Sequence, residues 1–281
     1  MGLAGELCPM MKTALTGVMS ASRDLSVISN NLANAMTVGF KRSTSHFVDV
    51  AGLSQNDRPG LDIGQGAMTE VVRRSDSQGA IRTTNSALDI ALVGAGHFTF
   101  ADTAVTDANS SSEPTYYYSR AGQLQITPTG QIIDRLSGRP LMGLSGGKLQ
   151  GLNVASGANG DISQVQSLSV DSKGVVSVSR TNGVVTPIGV LAIAHFNNED
   201  GLKSQGGAAF LETDESGPAI LGRANTNGLG SVQQGALEDA NVDMTAEMLR
   251  MIRAQQAYNG NARALQTGSE MLRSAIENLI R

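Results

Sequence analysis

The chain has 281 residues, a formal net charge of −4, 33 glycines, 4% aromatic residues and no tryptophan. That length supports one to three compact domains with an aliphatic core, and the acidic balance excludes a nucleic-acid footprint, which needs a basic face. Cys8 is the only cysteine, so an intrachain disulfide and a four-thiolate zinc site are excluded too.

The first eleven residues lack the basic start and long apolar centre of a secretory signal. Met10 and Met11 leave a later start open. No stretch has the length of a membrane-spanning helix. Met11, Val18, Leu25 and Leu32 then recur every seven residues, with Leu15, Ser22 and Ser29 four residues after the first three. This predicts a helix with one seam, ending near Asn34, with Gly39 as its stop. The basic pairs Lys41-Arg42 and Arg73-Arg74 read as solvated surface.

The period then changes to two. Leu88, Ile90 and Leu92 alternate with Asp89 and Ala91, and Gly94-Ala95-Gly96 turns the chain before Phe98 and Phe100. Tyr116 to Tyr118, Leu124 to Ile126 and Ile132-Ile133 read as short strands, with a turn at Pro128-Thr129-Gly130. Residues 143–160 read as a loop or the entry to an inserted subdomain. Leu168 to Val170, Val176 to Val178 and Ile188 to Phe196 are further strands, and 201–234 reads as loop-rich.

Few groups point to chemistry. Gly143-Leu144-Ser145-Gly146-Gly147 fits G-x-S-x-G, but a nucleophile elbow needs a strand before the serine and a helix after it. His46, His97 and His195 have no carboxylate or thiol at metal-ligand spacing. Gly94-Ala95-Gly96 lacks the third glycine and the helix of a dinucleotide loop. The expectation is a protein that is not an enzyme and carries no cofactor or metal.

The C-terminal segment repeats the seam. Met244, Met251, Tyr258, Leu265, Leu272 and Leu279 are spaced by sevens, followed at four residues by Met248, Gln255, Ala262, Ser269 and Ile276. Asn241 reads as its N-cap, with Asp243 and Glu247 in the first turns. Polar residues dilute both seams, and Gly260 and Gly268 each cost the helix about 1 kcal/mol relative to alanine. One such pair buries too little apolar surface to be secure, whereas many copies side by side supply the burial.

Asn30-Asn31-Leu32-Ala33-Asn34-Ala35-Met36-Thr37-Val38-Gly39-Phe40-Lys41-Arg42 closely resembles the N-terminal signature of flagellar rod and hook proteins. Gly235-Ala236-Leu237-Glu238-Asp239-Ala240-Asn241-Val242-Asp243 resembles their C-terminal entry motif, which Met251, Gln255 and Tyr258 continue. Leu88 to Ala91, Gly94 to Phe98, Tyr118 to Gly122 and Asn227 to Gly230 also match.

The resemblance implies an α+β fold: N- and C-terminal helices (11–42 and 236–281) paired as a coiled coil, a connecting segment (43–87), and a β-rich outer domain (88–235) with a candidate insertion at 141–184. It implies a structural subunit of the basal-body rod that assembles helically, transmits torque and encloses the export channel. Expected partners are other rod and hook proteins, further copies through the terminal helices, and the flagellar export apparatus. Nucleic acid and membrane insertion are not expected, and export proceeds without a cleaved signal. Length favours a proximal-rod type, with distal rod and hook as alternatives and a hydrolase at Ser145 as a further one. The residues expected to carry family identity and assembly are Asn31, Asn34, Thr37, Gly39, Phe40, Leu237, Glu238, Asn241, Val242, Met251, Gln255, Tyr258, Leu265 and Leu272.

Overall fold

The structure is a computed structural model that describes residues 3–50, 64–102, 114–145, 148–156 and 165–279. It divides into a helical unit (Met1–Ala35, Arg42–Ser75 and Val242–Arg281) and a β unit (Met36–Lys41 and Asp76–Asn241).

The helical unit contains α1 (Leu3–Ala33), the antiparallel hairpin of β1 (Ser43–Asp49) and β2 (Ala67–Arg74), and α2 (Met244–Leu279). The helices run antiparallel. Gly268 lies against Met11, Gly17 against Asn261, and Asn31 hydrogen-bonds Glu247, so each step up α1 is matched by an equal step down α2. At 36 residues, α2 extends about 54 Å. The hairpin is tied to α1 by the Ser20 hydroxyl, which donates to the Ala67 carbonyl at 3.1 Å, and by the Ser45 hydroxyl, which donates to the Asp24 carboxylate.

One half of each expected seam is in place, and the other half is displaced. Met11, Val18, Leu25 and Leu32 are partly buried, as are Met251, Leu265 and Leu272. Their companions lie three residues further on, not four: Ala14, Ala21 and Ile28 in α1, and Ala254, Asn261, Gly268 and Ala275 in α2. Leu15, Ser22, Ser29, Gln255, Ser269 and Ile276 face outward. The cause is steric. Small residues at the second position let the two backbones approach, so the buried face contains alanine and glycine while larger side chains outside it stay exposed. Gly268, expected only as a weak point, is a seam residue: a Cβ there would stand 3.2 Å from Met11 Cγ.

The β unit runs, in chain order, through β3 (Ile81–Thr83), β4 (Ile90–Val93), β5 (His97–Ala101), β6 (Tyr116–Ser119), β7 (Leu124–Ile126), β8 (Ile132–Asp134), β9 (Met142–Ser145) and β10 (Lys148–Gly151). There follow β11 (Val165–Val170), β12 (Val175–Arg180), β13 (Val185–Leu191), β14 (Ile193–His195), β15 (Lys203–Gly206), β16 (Ala209–Leu211), β17 (Ile220–Gly222), β18 (Ser231–Gln234) and β19 (Ala236–Glu238). One sheet has the order β15-β16-β6-β5-β14-β17, a second β10-β9-β13-β12-β11, and β18-β4, β19-β3 and β7-β8 are antiparallel pairs.

Its core joins Ile90, Leu92, Phe98, Phe100, Ile132, Leu141, Leu191 and Ile193. A neighbouring cluster stacks Tyr118 edge-on to Phe196 at 4.7 Å, the geometry favoured by the ring quadrupole.

Three expectations change here. Residues 143–160 are not all loop: Met142–Ser145 and Lys148–Gly151 pair as β9 and β10, because backbone pairing holds a glycine-rich strand that has few side chains to bury. Ile188 to Phe196 is not one strand: it breaks at Ala192, leaving β13 in the five-stranded sheet and β14 in the six-stranded one. Residues 43–87 are not a plain connector, since β1 and β2 belong to the helical unit and residues from Asp76 to the β unit. Residues 141–184 supply most of the five-stranded sheet.

Candidate functional site

The two terminal motifs come together around two buried carboxylates, one in each unit. In the β unit this is Glu238 on β19, 1% exposed. The Lys41 ammonium donates to Glu238 Oε1 at 2.8 Å and to the Ser77 carbonyl at 2.8 Å. The Gly79 amide donates to the same Oε1 at 3.0 Å, and Arg120 Nη1 donates to Oε2 at 3.3 Å. Burial holds the Lys41 ammonium below the ordinary lysine range, against the opposing pull of Glu238. Such a cluster is stable only while every charge keeps its partners.

The segment leading into Lys41 is shaped by the same strand. Gly39 has φ of 70° and donates its amide to the Glu238 carbonyl at 2.8 Å. A Cβ on Gly39 would stand 2.6 Å from the Ala121 nitrogen, so glycine is required by conformation and by space alike. Val38, Ala121 and Leu237 close a small apolar cluster beneath it. Asn241 donates its backbone amide to the Phe40 carbonyl at 3.3 Å, and its side chain to the Ser77 carbonyl at 2.9 Å. Asn241 is therefore not the N-cap of α2. Asp243 takes that place, its Oδ1 accepting from the Thr245 and Ala246 amides at 2.8 and 3.2 Å, because α2 begins at Met244.

In the helical unit the carboxylate is Glu247, also 1% exposed. Arg42 Nε donates to its Oε1 at 2.6 Å, Asn31 Nδ2 donates to Oε2 at 3.3 Å, and Arg250 Nη1 lies 3.7 Å away. Asn31 is fully buried. Its amide nitrogen also donates to the Ser43 carbonyl at 2.7 Å, and its Oδ1 accepts from the Ser43 amide at 2.9 Å. It thus pairs with a strand residue as a backbone would, and it ties the end of α1 to β1. Asn34 donates its side chain to the Asn30 carbonyl at 2.9 Å at the helix end.

Asn31, Gly39, Phe40, Leu237, Glu238 and Asn241 thus fall at these two clusters. Met251, Tyr258, Leu265 and Leu272 lie along the α2 seam, Gln255 lies outside it, and Thr37 and Val242 are partly buried. Sequence reasoning missed Lys41, Arg42, Arg120 and Glu247. The pair expected at the surface is instead divided, Lys41 serving the β unit and Arg42 the helical unit. The available signal was two adjacent cations with acidic residues at 238 and 247 in the other terminal motif.

Ser145 ends β9, and the chain resumes as strand β10 from Lys148, so no helix follows it to form an elbow. The cavity beside it is about 40 Å³, far below the roughly 300 Å³ at which ligand pockets begin.

Comparison with known proteins points in one direction. Residues 11–41 match the family described as flagella basal body rod protein, and residues 233–278 match the C-terminal family of flagellar basal body rod FlgEFG proteins. The flagellar basal-body rod protein FlgG of Agrobacterium fabrum is 31% identical, across 95% of this chain and 97% of its own. FlgG of Bacillus subtilis is 30% identical, across 94% and 96%. A solved flagellar hook protein, FlgE2 of Helicobacter pylori, aligns with 64% of this chain and 48% of its own at 16% identity, with a TM-score of 0.23, too low to bear on the fold.

Proposed function

The chain belongs to the flagellar basal-body rod protein family, and on that premise we propose how its parts serve a rod. It is a structural subunit of the basal-body rod, in a family of structural proteins and not of enzymes, and it assembles with other axial proteins of the flagellum. The hook alternative is not better supported.

Within the rod, α1 and α2 act as a coiled-coil pair that packs against the same pair in other copies, and the β unit forms the outer layer. The observation that carries this reading is the antiparallel register of helices from opposite ends of the chain, joined through small residues. The assembly transmits torque and encloses the channel through which later subunits are exported, and this chain itself travels by the flagellar export apparatus without a cleaved signal. The sequence alone favoured a proximal-rod type. The FlgG name carried by the full-length relatives favours the distal rod instead.

Immunogold labelling of purified hook–basal bodies tests the reading. Label along the rod, concentrated in its distal part, is the expected result. Label on the hook alone supports the hook alternative, and absence from basal bodies removes the rod role.

A further inference from the structure

The helical unit has two apolar surfaces that its own seam does not use. The first is on α2: Met244, Met248, Leu249 and Ile252 lie within nine residues and are 40%, 47%, 51% and 50% exposed. Met244, Met248 and Ile252 succeed one another on one side of the helix, with Leu249 beside them. The second is a groove of about 700 Å³ whose lining includes Leu15, Val18, Met19 and Arg23 of α1, Met68 of β2 and Tyr258 of α2. Met19 and Met68 are 62% and 56% exposed there. Exposed apolar surfaces of this kind mark association sites.

We propose that the Met244–Ile252 face of α2 in one copy seats in the α1–β2 groove of a second copy of this chain. The inference rests on the rod-subunit reading above. Three observations select this occupant. Both surfaces are apolar, one a helix face and the other a groove along a helix. Their lengths agree, since nine residues of α2 and the twelve from Leu15 to Ser26 of α1 span about 14 and 18 Å. Their charges also agree. Met19 and Tyr258 share the groove, and α1 runs antiparallel to α2, so a neighbouring α2 laid parallel to this one with its Leu249 on Met19 brings Asp243 toward Arg23. Both of those residues are exposed.

The two surfaces are different patches of one molecule, so the contact is head-to-tail. It repeats without closing and builds a helical polymer rather than a pair. Leu249 lies nine residues from Tyr258, so neighbours are offset by about 14 Å along the helix axis.

A chain carrying Met19→Cys and Leu249→Cys on a Cys8→Ser background tests this in isolated basal bodies after oxidation. Within one chain the two positions are about 14 Å apart along the helices, beyond the reach of a disulfide. The expected result is a ladder of covalent multimers on a denaturing gel, with each single-cysteine chain remaining monomeric. Incorporated but unlinked chains overturn the pairing. Dimers alone overturn its open, head-to-tail form, and a link to a protein of another size overturns the second copy as occupant. Absence of even the wild-type chain from basal bodies overturns the rod reading instead. If the double-cysteine chain fails to incorporate while the wild type succeeds, charge exchange decides. Arg23→Glu is expected to restore at least part of the incorporation lost in Asp243→Arg, and no restoration overturns the pairing.

Discussion

The two units bury their side chains in opposite ways. Every one of the largest fully buried side chains among the described residues, from Tyr118 and Phe98 to Ile193 and Glu238, lies in the β unit. The helical unit instead conceals Ala14, Ala21, Ile28, Asn31, Glu247, Ala254 and Gly268, and leaves Leu15, Met19, Phe47, Met68, Met248, Leu249 and Ile252 exposed. Burial stabilises in proportion to the apolar area removed from water. The β unit therefore holds itself together. The helical unit gains little from its own seam and keeps its larger apolar side chains available to neighbours.

The largest test of this contrast is Phe98→Ala. Removing a fully buried ring costs about 3–5 kcal/mol, and the β unit should unfold at clearly lower denaturant concentration. Leu265→Ala, at a partly buried seam position, should change the free monomer far less and reduce incorporation into basal bodies far more. Hydrogen exchange on a demonstrated monomer supplies the check. If the amides of α1 and α2 exchange as slowly as those of β5 and β14, the helical unit is self-sufficient and the contrast fails.

Gly39→Val is expected to come next. A residue at φ of 70° that is not glycine carries strain of about 1–3 kcal/mol, and a β-branched side chain tolerates it worst. The new Cβ must also displace the Ala121 backbone. Gly39→Ala shares that contact, so it too should be destabilising, but less so than valine. Thermal unfolding orders the three proteins. Equal stability of valine variant and wild type would mean that the linker moves freely and is not held by β19.

What the sequence disclosed follows the same division. The strands carrying Phe98, Phe100, Tyr118 and Ile132 were legible because alternation and aromatic content mark them directly. So was one stripe of each helix, since Met, Val and Leu at sevens are visible. The second stripe was not, because Ala254, Asn261 and Gly268 are hidden by being small rather than by being apolar. Lys41 and Arg42 were misread for a related reason. Adjacent cations usually face water, and only a partner some two hundred residues away, Glu238 or Glu247, keeps each of them inside. The Asn241 cap failed by two residues because its side chain was already engaged with Ser77.

Two glycines of α2 sharpen the contrast at smaller amplitude. Gly260 has open space where a Cβ would stand, whereas Gly268 faces Met11. Gly260→Ala should stabilise the helix by about 0.8–1 kcal/mol. Gly268→Leu should instead push α1 away, at about 1–3 kcal/mol for overpacking, while Gly268→Ala is absorbed by the flexible methionine. Helix content by circular dichroism, together with incorporation, separates them. A gain in both from Gly268→Leu would show that the close approach of α1 and α2 at this point is not needed.

The smallest expected effect belongs to Glu199 in the β unit, and it concerns pH. Burial raises its pKa above the ordinary carboxylate value, with Asp76 acting in the same direction and Arg120, His195 and Lys41 opposing. His195 Nδ1 stands 3.8 Å from Glu199 Oε1, too long for a hydrogen bond. A carboxyl group whose folded pKa lies above its unfolded value favours folding in its protonated form. That contribution is complete below the unfolded pKa and is lost as pH rises through the folded one. At neutral pH the ionised Glu199 therefore opposes folding slightly. Glutamine, which stays neutral, removes this opposition, so Glu199→Gln should unfold at a slightly higher temperature than wild type at pH 7. The difference should fade as pH falls below about 4.3, where the wild-type carboxyl is itself protonated in both states. Calorimetric scans at the two pH values read the effect directly. A loss of stability at pH 7 would show that the ionised carboxylate is held by its cationic neighbours more strongly than burial opposes it, and Glu199 would then join Glu238 and Glu247 as a third carboxylate that the fold requires charged.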